Sequence, residues 1–190
     1  NGQHDKAQQL YEKAINLSRQ LKDKQNEAIA LRKLAVWNID KNNFEAAMEL
    51  LTKSAAINLE HGKNFEHRKN LACDYFDIGL VFANKNDYAG AKEFYEKSRK
   101  IFEQLKLENE LSDCYFNLGE IYLFEKEYQK AGDYYLKGLK IDQQQNNRVN
   151  LTSDYNMIGE LYLEMDDLFI AEGYFKQSVK LAEEIKSLPE

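Results

Sequence analysis

Histidine, cysteine and paired carboxylates are the side chains that could move protons, hold a metal or act as nucleophiles. The chain carries three histidines and two cysteines, with carboxylates in excess. His61, His67 and Cys73 are spaced by six, and six residues at about 100° each turn a helix by roughly 240°, which scatters them. His4 stands apart from the other two. Asp74 with Asp77, and Asp166 with Asp167, fall on polar faces, where solvated charge is the ordinary account. No glycine-rich loop of the G-x-G-x-x-G or G-x-x-x-x-G-K-S/T type is present to cradle phosphates, and no G-x-S-x-G elbow or H-E-x-x-H pair occurs. The expectation is a protein without catalysis, cofactor or metal. Cys73 and Cys114 make no disulfide framework and are expected as free thiols.

Residues suited to binding form a clearer set. With Tyr75 placed at 0° and about 100° added per residue, Ile78, Gly79 and Phe82 gather near 0°. Cys73, Phe76, Asp77, Leu80 and Asn84 fall on a flank between roughly 100° and 200°. In register with that flank are Ile29, Arg32, Lys33 and Val36 upstream, and Asp113, Phe116, Asn117 and Glu120, then Ser153, Asn156, Met157 and Glu160 downstream. Apolar Phe76, Leu80, Phe116 and Met157 interleaved with Asn117 and Asn156 suit an extended or helical peptide. The amides would bond its backbone and the apolar groups hold its anchors. The competing reading packs Phe76 and Phe116 on the neighbouring helix and leaves the asparagines solvated. Polarity changes along the set, from Arg32 and Lys33 to Asp77, Glu120 and Glu160, so the acidic half is expected to prefer a ligand carrying lysine or arginine.

What must position these residues is a repeat. Tyr75-x2-Ile78-Gly79-x2-Phe82 recurs as Tyr115-x2-Leu118-Gly119-x2-Tyr122 and as Tyr155-x2-Ile158-Gly159-x2-Tyr162, at one fixed interval. A second signature follows each time: Tyr88-x2-Ala91-x3-Tyr95, Tyr128-x2-Ala131-x3-Tyr135 and Leu168-x2-Ala171-x3-Phe175. An earlier, degenerate copy reads Leu31-x2-Leu34-Ala35 and Phe44-x2-Ala47-x3-Leu51. Self-similarity at a period of about 40 residues means stacked supersecondary units, none able to bury its apolar face alone. One proline and nine glycines leave few helix breakers, so the chain is expected to be all-α, a right-handed solenoid of antiparallel helix pairs.

Helices are expected at about 5–22, 26–41, 44–61, 66–85, 88–106, 108–125, 128–145, 148–165 and 168–187. A glycine inside a helix costs about 1 kcal/mol relative to alanine, so Gly79, Gly119 and Gly159 imply close approach of the paired helix. The small series Ala14, Ser54, Ser98, Gly138 and Ser178 is read the same way, with Tyr75, Phe82 and Tyr95 and their counterparts filling the space between units. The step from Ala47 to Ala91 is longer by four than the steps from Ala7 to Ala47, Ala91 to Ala131 and Ala131 to Ala171. An insertion of that size, about one helical turn, should extend a hairpin between Ile57 and Tyr75 without losing face register.

Tyr-x2-Leu-Gly-x2-Tyr followed by Ala-x3-Tyr and a small residue resembles the tetratricopeptide repeat over essentially the whole chain. Two departures stand out: tyrosine or leucine replaces the usual tryptophan at Leu31, Tyr75, Tyr115 and Tyr155, and the proline that closes each unit is missing. The resemblance implies a non-catalytic module that binds protein or peptide in a concave groove. Similar long-helix repeats occur in cell-polarity adaptors, kinesin light chains, peptide-sensing regulators and sensor regions of bacterial histidine kinases. The latter imply an alternative role as a self-association or regulatory spacer. Many members clamp a C-terminal carboxylate with successive basic residues. Here Arg32 and Lys33 are followed by Asp77, Glu120 and Glu160, which disfavours that ligand.

The array is expected to span 1–190 as one domain, with a partial repeat at 1–24 and full repeats at about 25–63, 64–107, 108–147 and 148–188, as a piece of a longer protein. A net charge of −6 argues against nucleic acid or an anionic membrane surface as partner, and a cytoplasmic location is expected. Leu168, Phe169, Ile170, Tyr174, Phe175, Val179, Leu181, Ile185 and Leu188 make the last helix more apolar than one buried face needs. Either a further helix or a second copy, giving a homodimer, is expected to cover it.

Overall fold

A computed structural model of the chain describes residues 2–62 and 64–186, with side chains from residue 6 onward. Leu188 and Pro189 lie outside the described residues. Among the described residues there are nine α-helices and no strand: α1 Gly2–Gln20, α2 Lys24–Asp40, α3 Phe44–Glu60, α4 Phe65–Asn84, α5 Tyr88–Leu105, α6 Glu108–Phe124, α7 Tyr128–Gln145, α8 Arg148–Glu164 and α9 Leu168–Lys186. Each boundary falls within three residues of the one read from apolar periodicity. The chain divides into two compact units, Asn1–Leu105 and Lys106–Glu190.

The turns are made by polar residues that tolerate a left-handed backbone. Lys22, Asn42, Asn86, Lys106, Lys126, Asn146 and Asp166 all have φ between 51° and 61°, ending the preceding helices in the left-handed manner. Several of the next helices begin on side-chain caps. Asp23 accepts from the Asn26 amide at 3.0 Å, Asn64 from His67 at 2.8 Å and Asn147 from Asn150 at 3.3 Å. Such a cap stabilises a helix start by about 1 kcal/mol.

Each hairpin is locked where a ring lies on a glycine. A methyl group added to Gly79 would sit 2.7 Å from the Tyr95 ring, at Gly119 2.5 Å from Tyr135, and at Gly159 2.7 Å from Phe175. The degenerate hairpin solves the same contact differently: Ala35 and Leu51, at the same separation in the chain, are both fully buried, the smaller leucine leaving room for the extra carbon. Beside the lock, a second-helix ring sits between the two aromatics of the first signature. Phe94 meets Tyr75 at 5.8 Å and Phe82 at 5.5 Å, Tyr134 meets Tyr115 at 6.1 Å and Tyr122 at 5.3 Å, and Tyr174 meets Tyr155 at 6.2 Å and Tyr162 at 5.7 Å. The sequence reading placed these large residues between units; they also pair with a ring inside their own hairpin.

The small series does more than admit a close backbone. Ser54, Ser98 and Ser178 donate their hydroxyls to the carbonyls of Ala28, Ala72 and Thr152, each on the preceding helix, at 3.0, 2.8 and 2.8 Å. Where the series has Gly138, the direction reverses, and Ser112 donates to the Gly138 carbonyl at 3.2 Å. The four-residue insertion is divided between helix and turn: α4 is three residues longer than α2, and four residues rather than three separate it from α3. That extra turn carries His67, which is buried, with Nδ1 2.9 Å from Asn58.

The junctions between hairpins bury charge. In the first unit Asp74 of α4 accepts from Asn58 of α3 at 2.8 Å and lies 2.8 Å from the Ser54 hydroxyl, whose one proton it shares with the Ala28 carbonyl. Burial pushes its pKa up to about 7 against those bonds. Asp74 and Asp77 were expected in solvent; both are buried, because they lie between α4 and the preceding hairpin. In the second unit the register equivalent of Asn58 is Asp142 and that of Asp74 is Asp154. Asp142 accepts from Asn150 and shares the Ser112 hydroxyl proton with the Gly138 carbonyl, while one oxygen of Asp154 has no hydrogen-bond partner. Burial, then the Asp142 charge and the bond to it, push Asp154 up to about 8.

Two predictions come from this packing. Gly119→Leu should destabilise the protein by about 1 to 3 kcal/mol through overpacking, because the Tyr135 ring cannot withdraw from the hairpin. A melting temperature at or above the parent's would remove the close contact from the account. Asp154 holds its proton to about pH 8 when folded but releases it near 3.8 when unfolded. Stability should therefore fall as pH rises between those values, by up to about 1.4 kcal/mol per pH unit. Asp154→Asn gives Asp142 the hydrogen bond that the proton supplies, so the variant should melt above the parent at pH 8. Identical melting curves there would refute the shared proton.

Candidate peptide-binding face

The candidate residues lie on α2, α4, α6 and α8, and each unit presents its own part. On the first unit Arg32 of α2 is half-buried and reaches Asp77 of α4, Nη1 to Oδ2 at 3.2 Å. Burial raises the Asp77 pKa to about 6 in spite of that pairing. The Arg32 charge, expected at the basic end of a groove, is therefore spent on a neighbouring carboxylate. Lys33 is exposed. Phe76 is half-buried with its ring 5.3 Å from that of Tyr95, and Leu80 packs against a cluster formed by Ala35, Ile39, Ala47, Leu51, Ile78 and Val81.

On the second unit Phe116 is 6% exposed and stacks on Tyr135 at 5.5 Å. Its ring occupies the space that a side chain at Gly138 would fill, so it is a core residue rather than an open anchor, and the packing reading holds for it. Asn117 is half-buried and donates to the Asp113 carbonyl of its own helix at 2.8 Å. Asn156 is exposed. Glu120 of α6 and Met157 and Glu160 of α8 come together around one cavity of about 400 Å³. Its other walls are Leu123, Phe124, Lys126, Tyr135, Leu163 and Glu164. The cavity walls desolvate Glu120 and the Glu160 charge adds to this, so its carboxyl is pushed above the usual range.

Sequence reasoning missed the floor and rim of that cavity. Tyr135 belongs to a second helix, and Leu123 and Leu163 fall near 80°, outside the flank read on first helices; Phe124 lies on that flank, one period after Asn84, and was not singled out. The repeat signature does contain Tyr135, but as a core position. Among the described residues no group of three or more histidine, cysteine, aspartate or glutamate side chains is arranged to hold a metal ion. No helix among them is long and apolar enough to cross a membrane.

Paired helices, glycine locks and a regular period define a helical-repeat protein. The tetratricopeptide repeat model matches residues 1–60 and 110–184, and a second tetratricopeptide repeat model matches 75–104. The chain belongs to the tetratricopeptide repeat family. Among solved structures it is similar to BtubC (BKLC) from P. vanneervenii, with 19% identity and a TM-score of 0.84 over 100% of this chain and 77% of that one. It is similar to aspartyl phosphate phosphatase F from Bacillus subtilis, with 14% identity and a TM-score of 0.84 over 95% of this chain. A Rap protein complexed with competence and sporulation factor gives 20% identity and 0.79 over 95%. The chain spans 46% and 49% of the length of these last two. At such identities the likeness is one of fold. No curated protein sequence matches the chain.

The Arg32–Asp77 pair generates a test of its structural role. Arg32→Met leaves a buried carboxylate unpaired and should destabilise the protein by about 3 kcal/mol at pH 7.5. Adding Asp77→Asn should restore most of the loss, because the charge is gone. Urea denaturation of the parent and both variants measures this, and equal stability of parent and Arg32→Met would place the guanidinium outside the fold's requirements.

Proposed function

We propose that this chain is a non-catalytic module that binds a protein or peptide on its first-helix faces, as an adaptor or sensor segment of a larger protein. The observation that carries the reading is the second unit's cavity, which carboxylates from two successive repeats line together with Leu123, Phe124, Met157 and Leu163. Membership of the tetratricopeptide repeat family supports it, as does a Rap protein of similar fold that was solved in complex with competence and sporulation factor. Lys33, Phe76 and Leu80 on one unit, and Asn117, Glu120, Asn156, Met157 and Glu160 on the other, are the proposed binding residues. The carboxylates among them favour partners carrying basic residues.

Charge reversal at Glu120 and Glu160 should weaken binding of a basic partner mainly by slowing association, and the loss should shrink in high salt. Asp133→Lys, an exposed change on α7, is the control. Surface plasmon resonance on a partner captured by pull-down gives both rates. Equal losses from the two sets would move binding away from the first-helix face.

One observation favours the second role, self-association. On α7 Leu139 is buried in a cluster with Leu151 of α8. Its register equivalent on α9, Val179, is 58% exposed, and Leu168 is 61% exposed. Both line an open apolar groove with Leu163, Ala171 and Phe175. If a second copy covers it, light scattering should show mass rising with concentration, and Leu168→Glu with Val179→Glu should abolish the rise. A parent that stays monomeric up to millimolar concentration would exclude this role.

A further inference from the structure

We infer that the cavity formed by Glu120, Glu160, Tyr135 and Met157 is a subsite for a single arginine side chain of a bound peptide. The inference rests on the peptide-binding reading and narrows it to one residue type. Three of the lining side chains are carboxylates, Glu120, Glu160 and Glu164, against one ammonium, Lys126. Glu120 and Glu160 are exposed, and each is near enough to raise the pKa of the Tyr135 phenol, after burial, which is the larger cause. Glu120 and Glu160 line the same cavity, and desolvation first, then the Glu160 charge, pushes the Glu120 carboxyl above its usual range. A cation between them offsets the Glu160 charge.

The chemistry favours guanidinium over ammonium. Glu120 and Glu160 stand on α6 and α8, one repeat apart, so their carboxylates approach from two sides. A planar guanidinium offers five donors in a fixed fork and can bond both at once, and it is more weakly hydrated than an ammonium. Beneath the carboxylates, Leu123, Met157 and Leu163 supply an apolar wall for a three-carbon stem, which buries well while the charged head stays at the rim. The cavity's volume of about 400 Å³ exceeds what one side chain fills, leaving room for part of the peptide's flanking backbone.

The test uses the whole chain with its methionine methyls labelled with carbon-13 and its backbone amides with nitrogen-15. Four probes of the form acetyl-Gly-Leu-X-Leu-Gly-amide are titrated, with X as arginine, lysine, citrulline or glutamate. Citrulline keeps the shape of arginine without its charge. The expected result is a saturable shift of the Met157 methyl with the arginine probe, a dissociation constant at least tenfold weaker for citrulline, and lysine between them. Glu120→Gln with Glu160→Gln should erase the arginine preference while amide shifts far from the cavity stay in place, which shows the fold intact. Equal affinities for all four probes on the first-helix faces would overturn the arginine subsite and leave the peptide-binding reading standing. No shift on any first-helix face at millimolar arginine probe would overturn both.

Discussion

Close approach of two antiparallel helices is the constraint on which everything else depends. The helices of a pair can touch only where one side chain is reduced to hydrogen or a methyl, and the space is then filled by a ring or a leucine from the helix that follows. Gly79 with Tyr95, Gly119 with Tyr135 and Gly159 with Phe175 are three instances of one contact. A hydroxyl farther along, as in Ser54, Ser98 and Ser178, reaches a carbonyl on the partner helix. Apolar contact and hydrogen bond thus hold each of these hairpins at two places about two helical turns apart, and the residues that make them are legible in local sequence.

That geometry has an electrostatic consequence. Each first helix must pack one flank on its own second helix and another on the preceding hairpin, so the polar residues of the second flank are taken out of water. Asp74 is answered by a serine and an asparagine; Asp154 is answered by another aspartate and a proton. The two junctions share a register, and an aspartate in place of Asn58 is enough to make the second junction the more sensitive to alkali. Buried polar groups of this kind fix which helix faces meet, since sliding by one residue would leave them unbonded.

The same register also builds the candidate face. Residues one period apart stand at matching places on successive first helices, so Glu120 and Glu160 are near each other because the repeat is regular there. Tyr135, whose first duty is to lie on Gly119, also lines their cavity. The cavity is a by-product of repetition: Glu120 and Glu160, at one position of consecutive repeats, are gathered into its lining.

The fixed spacing of Tyr, Gly and Ala, together with the absence of internal proline, determined the helices, their pairing and the family. Those features are local and periodic, and each glycine or alanine announces its contact by the stability it gives up in a helix interior or the space it leaves open. The candidate face was legible as a set of positions, and Glu120, Met157 and Glu160 do gather as that register requires. Tertiary structure alone decided which flank residues are open. Phe116 turned inward because Gly138 leaves a ring-sized space, Arg32 turned aside to Asp77, and Asp74 was enclosed by Ser54 and Asn58. Angular position on one helix says where a side chain leaves the backbone. What it then meets depends on partners carried by other helices, distant in the chain, and only the packed structure specifies them.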